Sequence, residues 1–279
     1  MQSLSHIRQL LTDRGLRPKH RLGQNFLYDK NQLERLFRAA DVQPGDLVLE
    51  VGPGTGTLTE TLLERWAEVI ACEIDPAMAQ IVSDELGANP KLHLIQADCL
   101  DKQRRLNTQV IAQLGDRPFK LVANLPYQVA SPLISALLMD HPRCLGLFVT
   151  IQMEVAQRLM AKPSTKEYGP LSIIVQTMAS VEMIGTLSPS CFWPPPEVTS
   201  SMVAIHPRSG RFSGHGHGHD FAKFITSLFT MRRKQLGTTL GRDRTDWPDG
   251  VSPSQRPEEL AVDQLLALWR SGAKLKRAK

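Results

Sequence analysis

The sequence has few cysteines and no long apolar run, and each absence excludes a class of protein. Its four cysteines lie far apart without a CxxC pair, which argues against a disulfide framework or a zinc site and favours a reducing compartment. No stretch approaches the ~20 continuous apolar residues that a membrane helix requires. Residues 1–16 are polar and lack the apolar core of a secretory signal. We therefore expect a cytoplasmic protein with no membrane partner.

Charge is distributed unevenly along the 279 residues. The net charge of +5 divides into +5 over residues 1–40, −7 over residues 41–207 and +7 over residues 208–279. Basic ends attract a phosphate backbone, which favours a nucleic-acid partner. Solvated surface charge produces the same composition, so charge alone leaves both interpretations open.

Short apolar runs alternate with helical patterns from residue 47 onward. The predicted strands are residues 47–51, 69–73, 92–96, 120–123 and 147–151. Helices are predicted over residues 57–66 and from Pro76. This alternation indicates an α/β domain, in which a parallel sheet carries helices on both faces. A further helix over residues 171–179 and a late strand over residues 198–205 complete the pattern.

The pattern changes after residue 207. Residues 208–220 are rich in Gly, Ser and His, which is typical of a linker. Residues 221–279 have helical periodicity and no convincing strand. We therefore expect a first domain over residues 1–207, a linker over 208–220 and a small all-helical domain over 221–279. Three histidines, at positions 215, 217 and 219, could bind a transition metal weakly, but a flexible insert explains them better, so we predict no metal site.

A glycine-rich turn follows the first predicted strand. Residues 50–56 (EVGPGTG) precede a helix, and Gly52 and Gly54 allow the backbone to approach a ligand closely. Dinucleotide-binding turns have the spacing Gly-x-Gly-x-x-Gly, whereas this turn has Gly-x-Gly-x-Gly. The Glu50 carboxylate would repel a pyrophosphate and attract a sulfonium or ammonium group. The turn therefore favours S-adenosyl-L-methionine as the cofactor.

Carboxylates follow the next two strands. Glu73 ends the second strand and Asp98 follows the third. The first can accept hydrogen bonds from both ribose hydroxyls, and the second can accept one from an adenine amino group. Taken singly, Glu73, Asp75 and Asp98 are explained equally well as loop carboxylates or helix caps. Behind successive strands, where open sheets bind ligands, they favour a cofactor site.

The tetrapeptide Asn124-Leu125-Pro126-Tyr127 follows the fourth strand. An exocyclic amine of adenine is a poor nucleophile, because its lone pair is delocalised into the ring. The Asn124 side-chain oxygen and the Leu125 carbonyl can hold its N–H groups, and Pro126 fixes the backbone that carries these acceptors. Tyr127 offers an aromatic face for a flipped-out base. A simple turn also explains Asn and Pro here, but the position behind a strand favours methylation of a planar amine.

Taken together, these motifs resemble the ribosomal RNA adenine N6-dimethyltransferase family of the bacterial KsgA type. The matching blocks are residues 19–27 (KHRLGQNFL), 50–59, 124–127, 168–172, 192–198, 232–234 and 256–260. These blocks are distributed along nearly the whole chain, so the resemblance does not depend on any single block. It implies a Rossmann-like class I methyltransferase domain with a mostly parallel seven-stranded sheet, followed by a small helical domain that contacts RNA.

The resemblance also implies roles for further residues. Asn25 and Leu27 would cover the cofactor from the N-terminal segment. Cofactor binding would fall to Gly52, Gly54, Glu73, Asp98 and Asn124. Phe192 would form a second aromatic wall for the adenine, opposite Tyr127, and the catalytic set would be residues 124–127 with Phe192.

The family's substrate is small-subunit (16S) rRNA, in which two adjacent adenosines near the 3′ end receive four methyl groups. Its members act on the immature 30S subunit in the cytoplasm, and we expect this chain to act there as a monomer. The basic run at residues 232–234 is an RNA-contact candidate, although basic residues at a helix C-terminus also offset the helix dipole.

Two positions depart from the family pattern, and they weaken the substrate prediction more than the reaction. Thr199 stands where the family usually has Asp, and Met153 stands where it usually has Lys. Three alternatives stay open: a large-subunit rRNA methyltransferase of the antibiotic-resistance type, a mainly non-catalytic assembly factor and, more remotely, a dinucleotide oxidoreductase. The blocks at residues 168–170 and 192–196 favour the small-subunit type.

Overall fold

The computed structural model describes residues 1–212 and 216–275. Its helices are α1 (Leu4–Asp13), α2 (Lys30–Ala40), α3 (Thr57–Glu64), α4 (Pro76–Leu86), α5 (Thr108–Leu114), α6 (Tyr127–Asp140), α7 (Met153–Leu159), α8 (Pro170–Met178), α9 (His217–Phe229), α10 (Leu236–Leu240) and α11 (Val262–Arg270). Its strands are β1 (Phe26–Leu27), β2 (Leu47–Val51), β3 (Glu68–Glu73), β4 (Leu92–Gln96), β5 (Phe119–Asn124), β6 (Cys144–Gln152), β7 (Ala179–Leu187), β8 (Phe192–Trp193) and β9 (Ser200–Pro207).

The chain divides into two compact units. The first comprises Met1–Ala156 and Val181–Pro207, and the second comprises Gln157–Ser180 and Arg208–Lys279. The second unit thus takes residues 157–180, which the sequence pattern assigned to the first domain. The reason is that Tyr168 and Ile173 contribute their apolar side chains to the helical core. Within the predicted linker, residues 217–220 already belong to α9, and residues 213–215 lie outside the described part of the chain.

The first unit contains a seven-stranded sheet of order β4-β3-β2-β5-β6-β9-β7. The pairs β2–β3, β3–β4, β2–β5 and β5–β6 are parallel, and β9 is antiparallel to β6. This architecture confirms the predicted fold class. The strand order reverses beside β2, and sheets of this type bind ligands at the carboxyl ends of the strands at such a point. All five residues of β2 are buried, as expected for a strand covered on both faces.

A second, two-stranded sheet was not predicted. Phe26 pairs with Trp193 and Leu27 pairs with Phe192, in antiparallel register between β1 and β8. The ring of Phe26 also stacks on Trp193, with 6.3 Å between centroids. This small sheet fixes the N-terminal segment beside residues 192–193.

The second unit has its own apolar core, built from α8, α9, α11 and the segments that join them. The buried hydroxyl of Tyr168 donates to the Leu260 carbonyl at 2.8 Å, and Arg211 forms an ion pair with Asp263 at 2.9 Å. His217 and His219 lie in the first turn of α9, whereas His215 lies outside the described residues. Within residues 1–212 and 216–275, no three metal-ligating side chains cluster, and every helix there is too short or too polar to span a membrane.

Candidate active site

A cavity of about 440 Å³ opens at the carboxyl ends of the central strands. Eight of the predicted site residues line it: Asn25, Leu27, Gly52, Gly54, Glu73, Asp98, Asn124 and Pro126. The other three predicted site residues are described by the structure but do not line the cavity: Leu125, Tyr127 and Phe192. The volume falls within the usual range for small-molecule sites, roughly 300–1,000 Å³. The fold thus brings together most of the predicted site residues, which lie between positions 25 and 126 of the sequence.

The glycine loop has a backbone that only glycine adopts without strain. Gly52, Gly54 and Gly56 have φ values of 74°, 59° and 87°, in the left-handed region that is unfavourable for other residues. A Cβ on Gly52 would lie 3.0 Å from the Pro126 ring, and one on Gly54 would lie 2.8 Å from Phe26. The loop therefore packs directly against the tetrapeptide and against β1.

Two buried carboxylates flank this loop. Glu50 Oε2 accepts a hydrogen bond from the Thr59 hydroxyl at 2.7 Å, and burial raises the pKa of Glu50 to about 8. Glu73 accepts hydrogen bonds from the N–H groups of Gly54 (3.1 Å) and Asp75 (2.8 Å). Burial also raises the pKa of Glu73. With no cation paired to either carboxylate among the described residues, the cavity is suited to a positively charged ligand.

Asp75 and Asp98 have different surroundings. Asp98 is exposed, and its Oδ1 accepts a hydrogen bond from the N–H of Leu100 at 3.0 Å. Asp75 is buried and caps α4 by accepting from the N–H of Ala77. It also pairs with Lys19 at 2.7 Å and accepts from Gln24 Nε2 at 2.8 Å. Burial acts to raise the pKa of Asp75, but these hydrogen bonds and the Lys19 charge hold it below its usual value.

The N-terminal segment is fastened to the cavity by contacts that local sequence patterns do not reveal. Gln2 is buried, donates to the Thr55 carbonyl at 2.8 Å and accepts from the Thr57 hydroxyl at 3.0 Å. Asn124 Nδ2 donates to the Asn25 carbonyl at 2.9 Å. Because its amide nitrogen is engaged there, Asn124 keeps its Oδ1 as an acceptor, without a partner among the described residues.

The tetrapeptide spans the junction between β5 and α6. Asn124 ends β5, Pro126 is the N-cap residue of α6, and Tyr127 begins the helix. The N–H of Leu125 donates to the Thr150 carbonyl at 3.1 Å. Tyr127 is partly buried, and its hydroxyl lies 3.0 Å from the hydroxyl of Ser200. The backbone that would present the two acceptors is therefore fixed by neighbouring strands.

Phe192 has surroundings other than those expected of an aromatic wall. It pairs with Leu27, is 3% exposed and belongs to the apolar core of the sheet unit. The adjacent Trp193 is more exposed, and the Arg8 guanidinium lies 5.4 Å from the centre of its ring. Phe192 does not line the cavity, and its role as a second aromatic wall stays a prediction.

The two departures from the family pattern are in contact. The N–H of Met153 donates to the Thr199 carbonyl at 3.0 Å. The Ser201 hydroxyl lies 3.1 Å from the Met153 sulfur. The contact between positions 153 and 199 is therefore made by the backbone, and the Met153 side chain contacts Ser201 instead.

The basic run at residues 232–234 divides into one structural and two exposed residues. Arg232 pairs with Glu258 at 2.7 Å and also donates to the carbonyls of Thr165 and Lys166. Arg233 and Lys234 are exposed. Only these two side chains are free to contact a partner in the way that the sequence predicted for the whole run.

Solved structures with a similar fold are methyltransferases. A dimethyladenosine transferase from Plasmodium falciparum superposes with a TM-score of 0.70 and 24% identity, covering 89% of this chain and 98% of that one. The 23S rRNA methyltransferase ErmE gives a TM-score of 0.65 and 24% identity, covering 88% of this chain and 99% of that one. At this level of identity the comparison establishes the fold, which is the predicted one.

Curated relatives extend over nearly the whole chain. Proteins named "Ribosomal RNA small subunit methyltransferase A" match at 36% identity in Lactobacillus acidophilus, 37% in Clostridium botulinum and 33% in Geobacter metallireducens. These matches cover 92%, 87% and 92% of this chain, and 92%, 90% and 96% of the respective relatives. The model of the ribosomal RNA adenine dimethylase family matches residues 15–274. The family predicted from the motifs is confirmed: this chain belongs to the ribosomal RNA adenine dimethylases.

Proposed function

We propose that this enzyme dimethylates N6 of two adjacent adenosines near the 3′ end of small-subunit rRNA, with S-adenosylmethionine as the methyl donor. One observation carries the proposal: Asn124 lies at the end of β5 and lines the cavity behind the glycine loop, in a chain of the adenine dimethylase family. The names of these relatives favour the small subunit over the large one. We propose that the enzyme acts as a cytoplasmic monomer on the immature 30S subunit.

The residues of the cavity fit S-adenosylmethionine. The glycine loop packs closely against Pro126 at Gly52 and against Phe26 at Gly54, which fixes its backbone at the edge of the cavity. Thr55 borders the cavity. Its hydroxyl is buried and has no hydrogen-bond partner among the described residues. Glu73 and Asp98 would hold the ribose and the adenine, and Glu50 would favour the positive charge. When bound, the cofactor would supply a methyl group on a sulfonium, and the neutral thioether that remains after the transfer is a good leaving group.

The chain's own residues orient the amine. The Asn124 Oδ1 and the Leu125 carbonyl would accept hydrogen bonds from the adenine amino group and make its nitrogen more nucleophilic. The hydrogen bonds from Asn124 to Asn25 and from Leu125 to Thr150 preorganise these acceptors, so that little reorganisation accompanies the reaction. Tyr127 would stack on the base.

A labelling experiment tests the proposal. Purified enzyme is incubated with methyl-labelled S-adenosylmethionine and with small subunits that lack the modification. We expect label in two adjacent adenosines, and Asn124→Ala should reduce the rate by about 10²–10³-fold, as for loss of one preorganised polar group, with an unchanged circular dichroism spectrum. Label in large-subunit rRNA would instead indicate the antibiotic-resistance type. Subunit binding and maturation without label would indicate an assembly factor.

A further inference from the structure

Three cations at the rim of the cavity lack a counter-charge in the described part of the chain. Arg21, Lys102 and Arg104 are exposed and line the cavity, and none of them forms an ion pair with another described residue. Neighbouring cations differ, because Lys19 pairs with Asp75 and Arg105 pairs with Asp101. Exposed, unpaired cations around a cavity are available to an anionic ligand.

The loop that carries Lys102 and Arg104 is fixed before any ligand binds. The N–H of Asp101 donates to the Arg105 carbonyl at 2.8 Å, and Leu100 and Leu106 form an isolated antiparallel bridge. Asp101 Oδ1 accepts from the N–H groups of Gln103 and Arg105, each at 2.8 Å. The Asp101 carboxylate is therefore occupied by its own loop and by the Arg105 side chain, and it pairs with neither Lys102 nor Arg104.

Arg104 has a backbone conformation that an arginine rarely adopts. Its φ is +61°, in the left-handed region, which is unfavourable for a residue with a Cβ. The loop retains this conformation through the hydrogen bonds of Asp101. Strain of this kind marks positions that deserve a functional test.

Arg21 lies in the segment whose end packs against the tetrapeptide. It lies in the 3-10 turn His20–Leu22, which ends at Gly23. A Cβ on Gly23 would lie 3.7 Å from the backbone nitrogen of Tyr127 and 3.9 Å from the Cα of Pro126. Arg21 is thus two residues from the point where this segment meets the tetrapeptide, whereas Lys102 and Arg104 follow β4, on the far side of β2 and β3.

The distance between these two groups of cations indicates an extended ligand. In the sheet order, β4 and β5 are separated by β3 and β2, and three strand spacings amount to roughly 14 Å. The cavity between them is lined by the carboxylates Glu50 and Glu73, which suit a cation and repel an anion. An anionic ligand that contacts all three cations must therefore cross the rim of the cavity.

We propose that Arg21, Lys102 and Arg104 bind the phosphodiester backbone of single-stranded RNA on the two sides of the target nucleotide. This inference deepens the proposed function, on which it rests. The cations would hold the strand across the cavity mouth while the target base enters beside Tyr127. Phosphate contacts of this kind set the register of a strand without reading its sequence.

The test uses the full-length enzyme and three variants: Arg21→Ala, Lys102→Ala and the double variant Lys102→Ala/Arg104→Gly. Glycine at position 104 retains the left-handed backbone without strain. The matched control is Arg143→Ala, because Arg143 is exposed and immediately precedes β6 at the amino end of the strands. The measurements are the Kd of undermethylated small-subunit rRNA at several salt concentrations, without turnover, and the Kd of S-adenosylmethionine by calorimetry.

We expect RNA binding to weaken about threefold to tenfold for each cation removed, and the slope of log K against log salt to become shallower by about 0.7 per cation. Cofactor affinity should stay unchanged, and Lys102→Arg should bind RNA like the wild type. RNA affinity equal to that of Arg143→Ala would overturn the inference. Weaker cofactor binding with an unchanged salt slope would also overturn it, by assigning these cations to the cofactor. Failure of the proposed function is a separate result, since the wild-type enzyme would then transfer no methyl group.

Discussion

Glu50 is a buried acid whose charge is unfavourable for the folded protein and, as proposed, favourable for a cationic cofactor. Burial raises its pKa to about 8 from an ordinary value of 4.5. Because the folded state holds this proton more tightly than the unfolded state, Glu50 contributes stability fully below about pH 4.5. That contribution is lost as the pH rises through about 8. A residue that destabilises the protein at working pH, beside a ligand cavity, is more typical of a binding site than of a core.

We therefore predict opposite effects of Glu50→Gln on stability and on cofactor binding. The variant keeps an oxygen that can accept from Thr59, but it carries no charge to desolvate. Its free energy of unfolding at pH 8 should exceed that of the wild type by roughly 4 kcal/mol, since each unit of pKa shift is worth about 1.4 kcal/mol, and the difference should nearly vanish at about pH 4.5. Denaturant unfolding at the two pH values measures this. S-adenosylmethionine should bind more weakly to the variant at pH 8; equal affinity in calorimetry would show that Glu50 does not face the cofactor's charge.

Asp75 joins the N-terminal segment to the sheet unit, and its role could not be derived from the sequence. The sequence left it open between a cap and a ligand-binding acid, because Lys19 lies 56 positions away and no local pattern connects the two. Gln2 and Thr55 are a similar pair, 53 positions apart. The predictable side chains of the site, such as Glu73 and Asn124, have positions fixed by the ends of strands, whereas these contacts depend on how the segment packs.

For Asp75→Asn we expect a looser N-terminal segment and an intact helix α4. Asparagine still caps a helix but cannot form the ion pair with Lys19. The free energy of unfolding at pH 7 should fall by roughly 1–2 kcal/mol, and the KM for S-adenosylmethionine should rise. Since the folded pKa of Asp75 is lowered, the wild type should lose this stabilisation as the pH falls below about 3.8, and the variant should not.

The control is Asp29→Asn, because Asp29 caps α2 through the N–H groups of Asn31 and Gln32 and has no ion pair in the described chain. A comparable loss of stability in both variants would assign the effect of Asp75 to capping.

At the scale of elements, the conformation of the glycine loop is determined by contacts on two sides, with the tetrapeptide and with β1. Gly54 requires a positive φ, and a Cβ there would lie within 2.9 Å of two ring atoms of Phe26. Gly45, in the turn before β2, also has a positive φ, but nothing lies within 4 Å of its missing Cβ. Substitutions at these two glycines therefore distinguish the cost of backbone strain from the cost of a steric clash.

We predict that Gly45→Ala lowers the free energy of unfolding by about 1 kcal/mol, through backbone strain alone. Gly54→Ala should cost about 1–3 kcal/mol more, because Phe26 and β1 must move, and it should weaken cofactor binding more than tenfold. Thermal unfolding and calorimetric titration of both variants measure the two effects. Equal behaviour of the two variants would mean that β1 does not confine the loop.

Helices and strands with a clear hydrophobic periodicity or a buried apolar run could be predicted from the sequence. Strands that form only because they pair with a distant strand could not. Strand β2 matches its predicted range, and β5 and β6 extend the predicted ones by a few residues. The two-residue strands β1 and β8 are too short to have a period, and β7 has a mixed pattern with only its end residues buried. These strands exist because of their partners, which a single sequence does not display.

At the scale of the molecule, the charge pattern was compatible with a nucleic-acid partner and with solvated surface charge, and it did not show which cations are available. Of the N-terminal cations, Arg14 and Lys19 are neutralised by acids, whereas Arg21 is not. In the second unit, Arg232 is held by Glu258. Net charge therefore overstates the surface that a phosphate backbone can use, and ion pairing in the fold determines the rest.

The final prediction separates structural from RNA-binding cations in the second unit. Arg232→Ala should lower the free energy of unfolding by about 1 kcal/mol or more, because Glu258 and two backbone carbonyls lose their donor. The double variant Arg233→Ala/Lys234→Ala should leave the thermal midpoint unchanged and should reduce the salt dependence of rRNA binding by about 1.4 in slope. Filter binding of rRNA between 50 and 200 mM salt, with thermal unfolding in parallel, compares the two. In both variants the affinity for S-adenosylmethionine should match that of the wild type. If Arg232→Ala changed the salt slope and the double variant did not, the ion pair with Glu258 would have to open on RNA binding, and the structural assignment of Arg232 would be wrong.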